Sequence, residues 1–348
     1  MVFYRLLLCF GLQQALASEA ALVLGAGTIL FFYARIPYAV VPGAVLLMLA
    51  LYLVVLVEKH PNTSAGVQFG RLIASGLALG TAVAIEYIQV IGAALVFLYA
   101  WKMVGTRRIW MVMAGGLPLG LLIMVYHYSV FGSPFTFPYK YAVPIIAVDN
   151  GQAMLQVDHP TWERLIAVTF GPRRGLFVYS PVLCLLALLM AKDLLRDRIH
   201  VAESLLGLSL LAAYLVFQAS SPLASVTWGV GPRYAAAMVP FLMLGVILIR
   251  KPLELRAFHC LAGLSLLVSL LMVQYDIEPQ HHAFPLADAA CAIMRSGPSS
   301  SFLGLTLPLV GVSSPLGTWT AGVAAFATLA ATVWCIWKRT EPQGNARA

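Results

Sequence analysis

The sequence predicts an all-α, polytopic integral membrane protein with about 9–11 transmembrane or partly spanning helices. Of its 348 residues, 61% are hydrophobic and 10% are charged, whereas a soluble domain carries roughly 25% charged residues. Apolar runs of about 17–25 residues recur along the chain, and each is long enough to cross a hydrocarbon core of ~30 Å. These observations exclude a soluble globular protein.

The apolar segments follow one another from end to end, and some of them are too short to span a membrane alone. They fall at about residues 4–17, 20–34, 37–57, 72–86, 88–102, 109–131, 175–191, 202–219, 236–249, 257–274 and 317–337. We therefore predict a single transmembrane domain over residues 1–340 and a cytoplasmic tail at 341–348. Residues 72–102 are interpreted as a hairpin of two passes.

The first twenty residues have two interpretations. Arg5, a short apolar stretch and the Ala15-Leu16-Ala17 tripeptide before Ser18 match a cleavable signal peptide. Alternatively, Met1 begins inside a transmembrane helix, because almost nothing precedes the apolar stretch. The sequence leaves both open.

The distribution of Lys and Arg predicts the orientation in the membrane. Fourteen basic residues lie in loops that we assign to the cytoplasm: Lys59, Arg71, Lys102, Arg107, Arg108, Lys192, Arg196, Arg198, Arg250, Lys251, Arg256, Lys338, Arg339 and Arg347. Seven lie in the alternate loops: Arg35, Lys140, Arg164, Arg173, Arg174, Arg233 and Arg295. The positive-inside rule then places the C-terminus in the cytoplasm and the loops at about 132–174, 219–235 and 275–316 outside.

Neither nucleic acid nor a metal is an expected partner. The net charge is +8, but the basic residues are spread over short loops without a basic run. The five cysteines have no metal-ligand spacing. His281 and His282 lie near Asp276, Glu278 and Asp288, but nothing supplies a third ligand at a recognisable spacing. We therefore expect no metal and no cofactor.

Two ionisable residues lie where the membrane makes a charge costly. Such residues cost roughly 2.5–3.5 kcal/mol on insertion scales, so each is a candidate functional residue. Arg35 ends the motif LGAGTILFFYAR; a snorkelling side chain is the alternative. Glu86, followed by Tyr87, lies at the outer tip of the 72–102 hairpin; an exposed loop carboxylate or a salt bridge between helices is the alternative.

Two further motifs combine arginine with turn-forming glycine and proline. GPRRGLFVYSP holds Arg173 and Arg174 just before an apolar span, and WGVGPRY holds Trp228, Arg233 and Tyr234. Arginine suits bidentate binding of phosphate or carboxylate. The alternatives are a juxtamembrane anchor for the arginines and an interfacial belt for the aromatic residues.

All these arginines are predicted on one membrane face, and FGSPFTFPYKY brings Lys140 to the same side. We therefore predict a cationic pocket at the outer leaflet that binds an anionic ligand. An anionic lipid headgroup, a lipid-linked phosphate and a charged soluble substrate all fit. Tyr126, His127 and Tyr128 could line the pocket.

Five motifs, in order and spacing, resemble bacterial membrane glycosyltransferases of the GT-C type. The motifs are LGAGTILFFYAR, GLALGTAVAIEY, FGSPFTFPYKY, GPRRGLFVYSP and WGVGPRY, and the resemblance covers about residues 3–250. Relatives of this type include the protein O-mannosyltransferases and the lipid A aminoarabinose transferase, which take a sugar from a polyprenyl phosphate. The resemblance implies a bacterial inner membrane protein with a periplasmic active site and inversion at the anomeric carbon.

The resemblance also implies roles for the singled-out residues. Phosphate would be bound by Arg173, Arg174, Arg233 and Lys140, with Arg35 as a further cation, and Tyr87, Trp228 and Tyr234 would line the site. Glu86 would support catalysis or position an unknown acceptor. The family's catalytic carboxylate usually lies in the first outer loop, but no acidic residue here precedes Glu19. We therefore expect that the family's first span and acidic loop are absent from this chain.

Two functions stay open at this point. The first is a glycosyltransferase, or its C-terminal part, that uses a polyprenyl-phosphate donor. The second is a non-catalytic lipid-binding or transport protein that retains the fold and the anion pocket. An in-frame upstream extension that encodes a span and an acidic outer loop would favour the enzyme, and a stop codon before Met1 would favour the second.

Overall fold

The computed structural model describes residues 1–34, 38–136, 159–220, 230–275 and 283–296. Within these ranges the secondary structure is helical and includes no β-strand. Five of the described helices are long and apolar enough to cross a membrane: Val40–Lys59, Ala65–Ile85, Thr106–Phe131, Val201–Ala219 and Pro252–Val273. The chain is an all-α polytopic membrane protein, as the sequence predicted.

The described α-helices are labelled in chain order. They are α1 Val2–Cys9, α2 Gln14–Ala26, α3 Ile29–Ala34, α4 Val40–Lys59, α5 Ala65–Ile85, α6 Gln89–Val104, α7 Thr106–Phe131, α8 Trp162–Phe170, α9 Leu176–Tyr179, α10 Val182–Lys192, α11 Val201–Ala219, α12 Val239–Met243, α13 Pro252–Tyr275 and α14 Pro285–Ser296. A π-helical turn at Asp193–Asp197 follows α10, and 3₁₀ turns at Arg233–Met238 and Leu244–Leu248 flank α12.

Helix α5 packs closely against both α4 and α7. Glycines allow the approach: a Cβ atom on Gly76 of α5 would overlap the carbonyl oxygen of Val112 of α7, and one on Gly115 would overlap the carbonyl oxygen of Ile73. Helices in lipid have no hydrophobic driving force for association, so they depend on the close van der Waals packing that small residues allow. Residues 72–102, predicted as a hairpin of two passes, form parts of α5 and α6; α5 is long enough to cross a membrane, and α6 is a shorter apolar helix.

Several predicted spans are interrupted. The segment predicted at 4–17 divides into α1 and α2, because Gly11 adopts a positive φ of 82° between them. The Ala15–Ala17 stretch lies inside α2, and Ala17 is buried. The segment predicted at 175–191 divides at Ser180 and Pro181, since proline lacks the N–H that a continuing helix needs.

Two regions predicted as loops contain helices. The 132–174 region includes α8, whose N-terminus is capped by Thr161 Oγ1 accepting from the backbone N–H of Arg164 at 3.3 Å. Its exposed apolar residues recur every four positions, at Trp162, Ile166 and Phe170, which is typical of a helix lying in a membrane interface. The 275–316 region includes α14, packed on α13. The span predicted at 317–337 lies outside the described residues.

Side-chain hydroxyls join the helix interruptions to α13. The Ile29 N–H donates to Ser180 Oγ at 3.0 Å, and the Val182 N–H donates to Ser265 Oγ at 2.9 Å. Inside a membrane an unpaired backbone donor costs several kcal/mol. The first bond therefore holds the α2–α3 junction against the α9–α10 junction, and the second holds the α9–α10 junction against α13.

Candidate anion-binding site

Arg173 and Arg174 lie on a tight turn that two glycines make possible. The Gly175 N–H donates to the Gly171 carbonyl at 2.7 Å, and the Tyr179 hydroxyl donates to the Pro172 carbonyl at 2.8 Å. A Cβ atom on Gly175 would lie 2.6 Å from the Gly171 oxygen. The turn is therefore rigid, and it holds both guanidinium groups at the start of α9.

Arg174 is almost fully buried, with 3% of its surface exposed. This burial lowers the pKa of its guanidinium to about 10, and the nearby Arg173 charge acts in the same direction. The group remains charged near neutral pH. A cation held in this way interacts more strongly with an anion than one in water would, because the surrounding dielectric constant is low.

Arg233 starts the 3₁₀ turn that precedes α12, and it packs on aromatic rings. Its Cζ atom lies 3.6 Å from the centroid of the Tyr38 ring and 5.5 Å from that of Tyr234. The preceding Gly231 has a φ of 70°, and its carbonyl accepts a hydrogen bond from the Tyr33 hydroxyl at 3.3 Å. The cation–π contact fixes the plane of the guanidinium.

Tyr33 brings the two arginine motifs together. Its side chain is fully buried, and its phenol interacts electrostatically with both Arg174 and Arg233. Among the residues that the structure describes, the Nε atoms of Arg173 and Arg233 are buried without a hydrogen-bond partner. Buried donors of this kind rarely stay unpaired in a native protein. The cluster is therefore suited to accept an anion.

Glu86 and Tyr87 follow α5 and face different neighbours. The Glu86 carboxylate interacts electrostatically with the phenols of Tyr234 and Tyr214, which places it on the Arg233 side of the site. The Tyr87 hydroxyl forms a hydrogen bond of 2.9 Å with Nε2 of His127, which lies on α7. Partial burial raises the pKa of Tyr87. The structure thus brings Glu86 towards the arginines and ties Tyr87 to α7.

Three of the predicted site residues, Arg35, Lys140 and Trp228, lie outside the described residues. Their roles stay predictions. Of the tyrosines flanking His127, Tyr126 and Tyr128 are more than half exposed. His127 is itself buried.

Sequence reasoning missed Tyr33, Tyr38 and Asp288 as neighbours of the arginines. The Asp288 carboxylate, on α14, interacts electrostatically with Tyr179, which supports the arginine turn. The aromatic residues on either side of Arg35 in the sequence could have indicated that Tyr33 and Tyr38 belong to the site. No local signal indicated that α14 would approach Tyr179.

No cluster of three or more potential metal ligands occurs in the described part of the chain. His281 and His282, considered above as ligands, lie outside it.

A scan against protein-family models, a search of curated proteins and a search of solved structures each found no match. The resemblance given above therefore rests on the five sequence motifs.

Proposed function

We propose that this chain is a membrane glycosyltransferase, or the C-terminal part of one, that uses a polyprenyl-phosphate-linked sugar. The reaction would occur at the outer face of a bacterial inner membrane, with the C-terminus in the cytoplasm. Polyprenyl phosphate fits because it combines a phosphate for the arginines with a tail that remains in the bilayer.

The observation that carries the proposal is the position of Arg174 and Arg233 around Tyr33. The two arginines belong to different motifs, and each is held by its own rigid turn. Rigid, partly desolvated guanidiniums bind phosphate with little loss of side-chain entropy. A membrane anchor would require neither the burial of Arg174 nor the stacking of Arg233 on Tyr38.

In the proposed reaction, the phosphate is the leaving group. Arg173, Arg174 and Arg233 would neutralise its growing charge as the bond between the anomeric carbon and the phosphate oxygen breaks. Arg35 and Lys140 are further predicted cations, and Tyr87, Trp228 and Tyr234 are predicted to line the site. Glu86 would orient the acceptor hydroxyl. The hydroxyl oxygen would form the new bond to the anomeric carbon, and its proton would go to a carboxylate base as polyprenyl phosphate leaves.

The competing proposal is a lipid-binding or transport protein without turnover. It is favoured by the composition of the five motifs, because Glu86 is the one acidic residue that they contain. Loss of a positioned general base commonly removes roughly 10²–10⁴ in rate. We therefore expect the isolated chain to bind polyprenyl phosphate and to transfer little or no sugar.

Binding is the first test. Charge-assisted hydrogen bonds contribute about 1.5–3 kcal/mol each, so Arg233→Ala should weaken polyprenyl-phosphate binding by roughly tenfold or more. Arg107→Ala, which removes an exposed arginine at the other end of the bundle, is the matched control and should bind normally. Equal affinity in both variants would contradict the phosphate role.

Turnover is the second test. The purified chain would be supplied with polyprenyl-phospho-sugars and an extract of envelope acceptors, and release of polyprenyl phosphate would be measured. Robust transfer that Glu86→Gln abolishes would contradict the expectation above and would make Glu86 the base.

A further inference from the structure

The last turn of α11 carries a glutamine whose side-chain amide has no hydrogen bond within the described part of the chain. Gln218 has 0% of its surface exposed. Among the residues that the structure describes, neither its Nε2 nor its Oε1 atom has a hydrogen-bond partner. A primary amide can donate two hydrogen bonds and accept two. A buried amide with none of them formed is destabilising unless another molecule supplies the partners.

Other buried glutamines in the described part of the chain are satisfied. Gln89 Oε1 accepts from the Tyr214 hydroxyl at 2.9 Å. Gln68 Nε2 donates to the Pro61 carbonyl at 2.7 Å, and its Oε1 accepts from Arg108 at 3.0 Å. The fold therefore provides hydrogen-bond partners for a buried amide that has a structural role. Gln218 differs from Gln68 and Gln89 in this respect.

The surroundings of Gln218 connect it to the anion-binding site. Residues four apart lie on the same face of a helix, so Gln218 lies one turn beyond Tyr214, which contacts Gln89 of α6. The neighbouring Phe217 ring packs edge-on against Tyr234, with 6.1 Å between centroids. The last turn of α11 thus lies between α6 and the segment that begins at Arg233.

From this arrangement we infer that Gln218 binds a hydroxyl group of the sugar carried on the lipid phosphate, an inference that rests on the proposed function. A hydroxyl both donates and accepts, so it can satisfy Oε1 and Nε2 together. A phosphate oxygen only accepts and would leave Oε1 unpaired. The phosphate would bind at Arg233 and the sugar at Gln218. Because Gln218 is fully buried, the seam between α11 and the Arg233 segment must open when the sugar enters.

Two measurements on Gln218→Met in the full chain test this inference. The first is heat stability in detergent without ligand. Methionine removes the unpaired amide at similar volume, so this variant should be at least as stable as the wild type. Gln89→Met is the matched control, and it should be less stable because it leaves the Tyr214 hydroxyl unpaired.

The second measurement compares affinity for polyprenyl phosphate with affinity for its hexose and pentose esters. Gln218→Met should bind polyprenyl phosphate as the wild type does. Its preference for the sugar-bearing lipids should fall by about three- to tenfold, the loss expected for one or two hydrogen bonds.

The outcomes separate the inference from the proposed function. Destabilisation of Gln218→Met as large as that of Gln89→Met would show a structural partner, such as a buried water, and would overturn the inference. An unchanged preference for sugar-bearing lipids would also overturn it, while the phosphate site could stand. Failure of the wild type to bind any polyprenyl phosphate would instead contradict the proposed function itself.

Discussion

Buried charges at the two ends of the bundle have different surroundings. At the predicted cytoplasmic end, Asp193 is 1% exposed and accepts hydrogen bonds from the Ile199 N–H at 2.8 Å, the His200 N–H at 3.2 Å and the Ser204 hydroxyl at 2.8 Å. Nearby, Glu203 accepts from the Tyr99 hydroxyl at 2.7 Å. These carboxylates have protein donors on several sides and act as structural joints between α10, α11 and α6.

At the predicted outer end, the guanidinium of Arg233 rests on the Tyr38 ring, and buried Nε atoms of Arg173 and Arg233 have no partner among the described residues. A buried charge with hydrogen-bond partners in the protein stabilises the fold. A cation whose donors lack such partners can instead bind an anion from outside the protein. The contrast is consistent with a structural role for the end that holds Asp193 and with the proposed anion binding at the end that holds Arg233.

The largest expected effect concerns which end is outside. In a variant without its native cysteines, a single cysteine near Asp149 should react with a membrane-impermeant reagent added from outside, and one at Gln343 should not. The Lys and Arg bias is the reason. The reverse labelling pattern would exchange the two ends and remove every outer-face assignment.

Loss of the Asp193 carboxylate should cause the largest change in stability. Asp193→Ala removes three hydrogen bonds to a buried charge, so we expect it to lower the free energy of unfolding by about 3 kcal/mol or more. Denaturation in detergent would measure this, with Asp193→Asn as the milder control. Folded Asp193→Ala should bind polyprenyl phosphate normally. A specific loss of binding would contradict a purely structural role for the end that holds Asp193.

The arginine turn should be sensitive to one added methyl group. A Cβ atom on Gly175 would lie 2.7 Å from the backbone nitrogen of Gly171, so Gly175→Ala should cost about 1–3 kcal/mol of stability and should weaken phosphate binding. Gly66→Ala is the control, because nothing lies within 4 Å of its Cβ position. Equal behaviour of the two variants would show that the turn tolerates distortion.

The smallest expected effect concerns the ring beneath Arg233. Tyr38→Leu removes a cation–π contact of about 0.5–1 kcal/mol at a partly exposed site, so affinity for polyprenyl phosphate should fall by roughly two- to fivefold. Tyr38→Phe keeps the ring and should bind like the wild type. An equal loss in Tyr38→Phe would indicate that the hydroxyl matters rather than the ring.

The sequence alone determined the membrane class and the long helices. Apolar length fixed α4, α5, α7, α11 and α13, because a span must satisfy its backbone hydrogen bonds internally whatever its neighbours are. It also indicated turns at Gly171–Gly175 and around Gly231, since proline restricts φ and glycine allows a positive φ. These properties depend on residues close together in the chain.

Only the tertiary structure decided which helices break and which groups meet. The junctions at Ile29 and Val182 depend on Ser180 and Ser265, which are distant in sequence. Likewise, Tyr33 lies between two arginine motifs that no periodicity connects. Local pattern cannot encode such pairings, because each one depends on how separate helices pack. That packing also buries the Gln218 amide, which has no hydrogen-bond partner among the described residues.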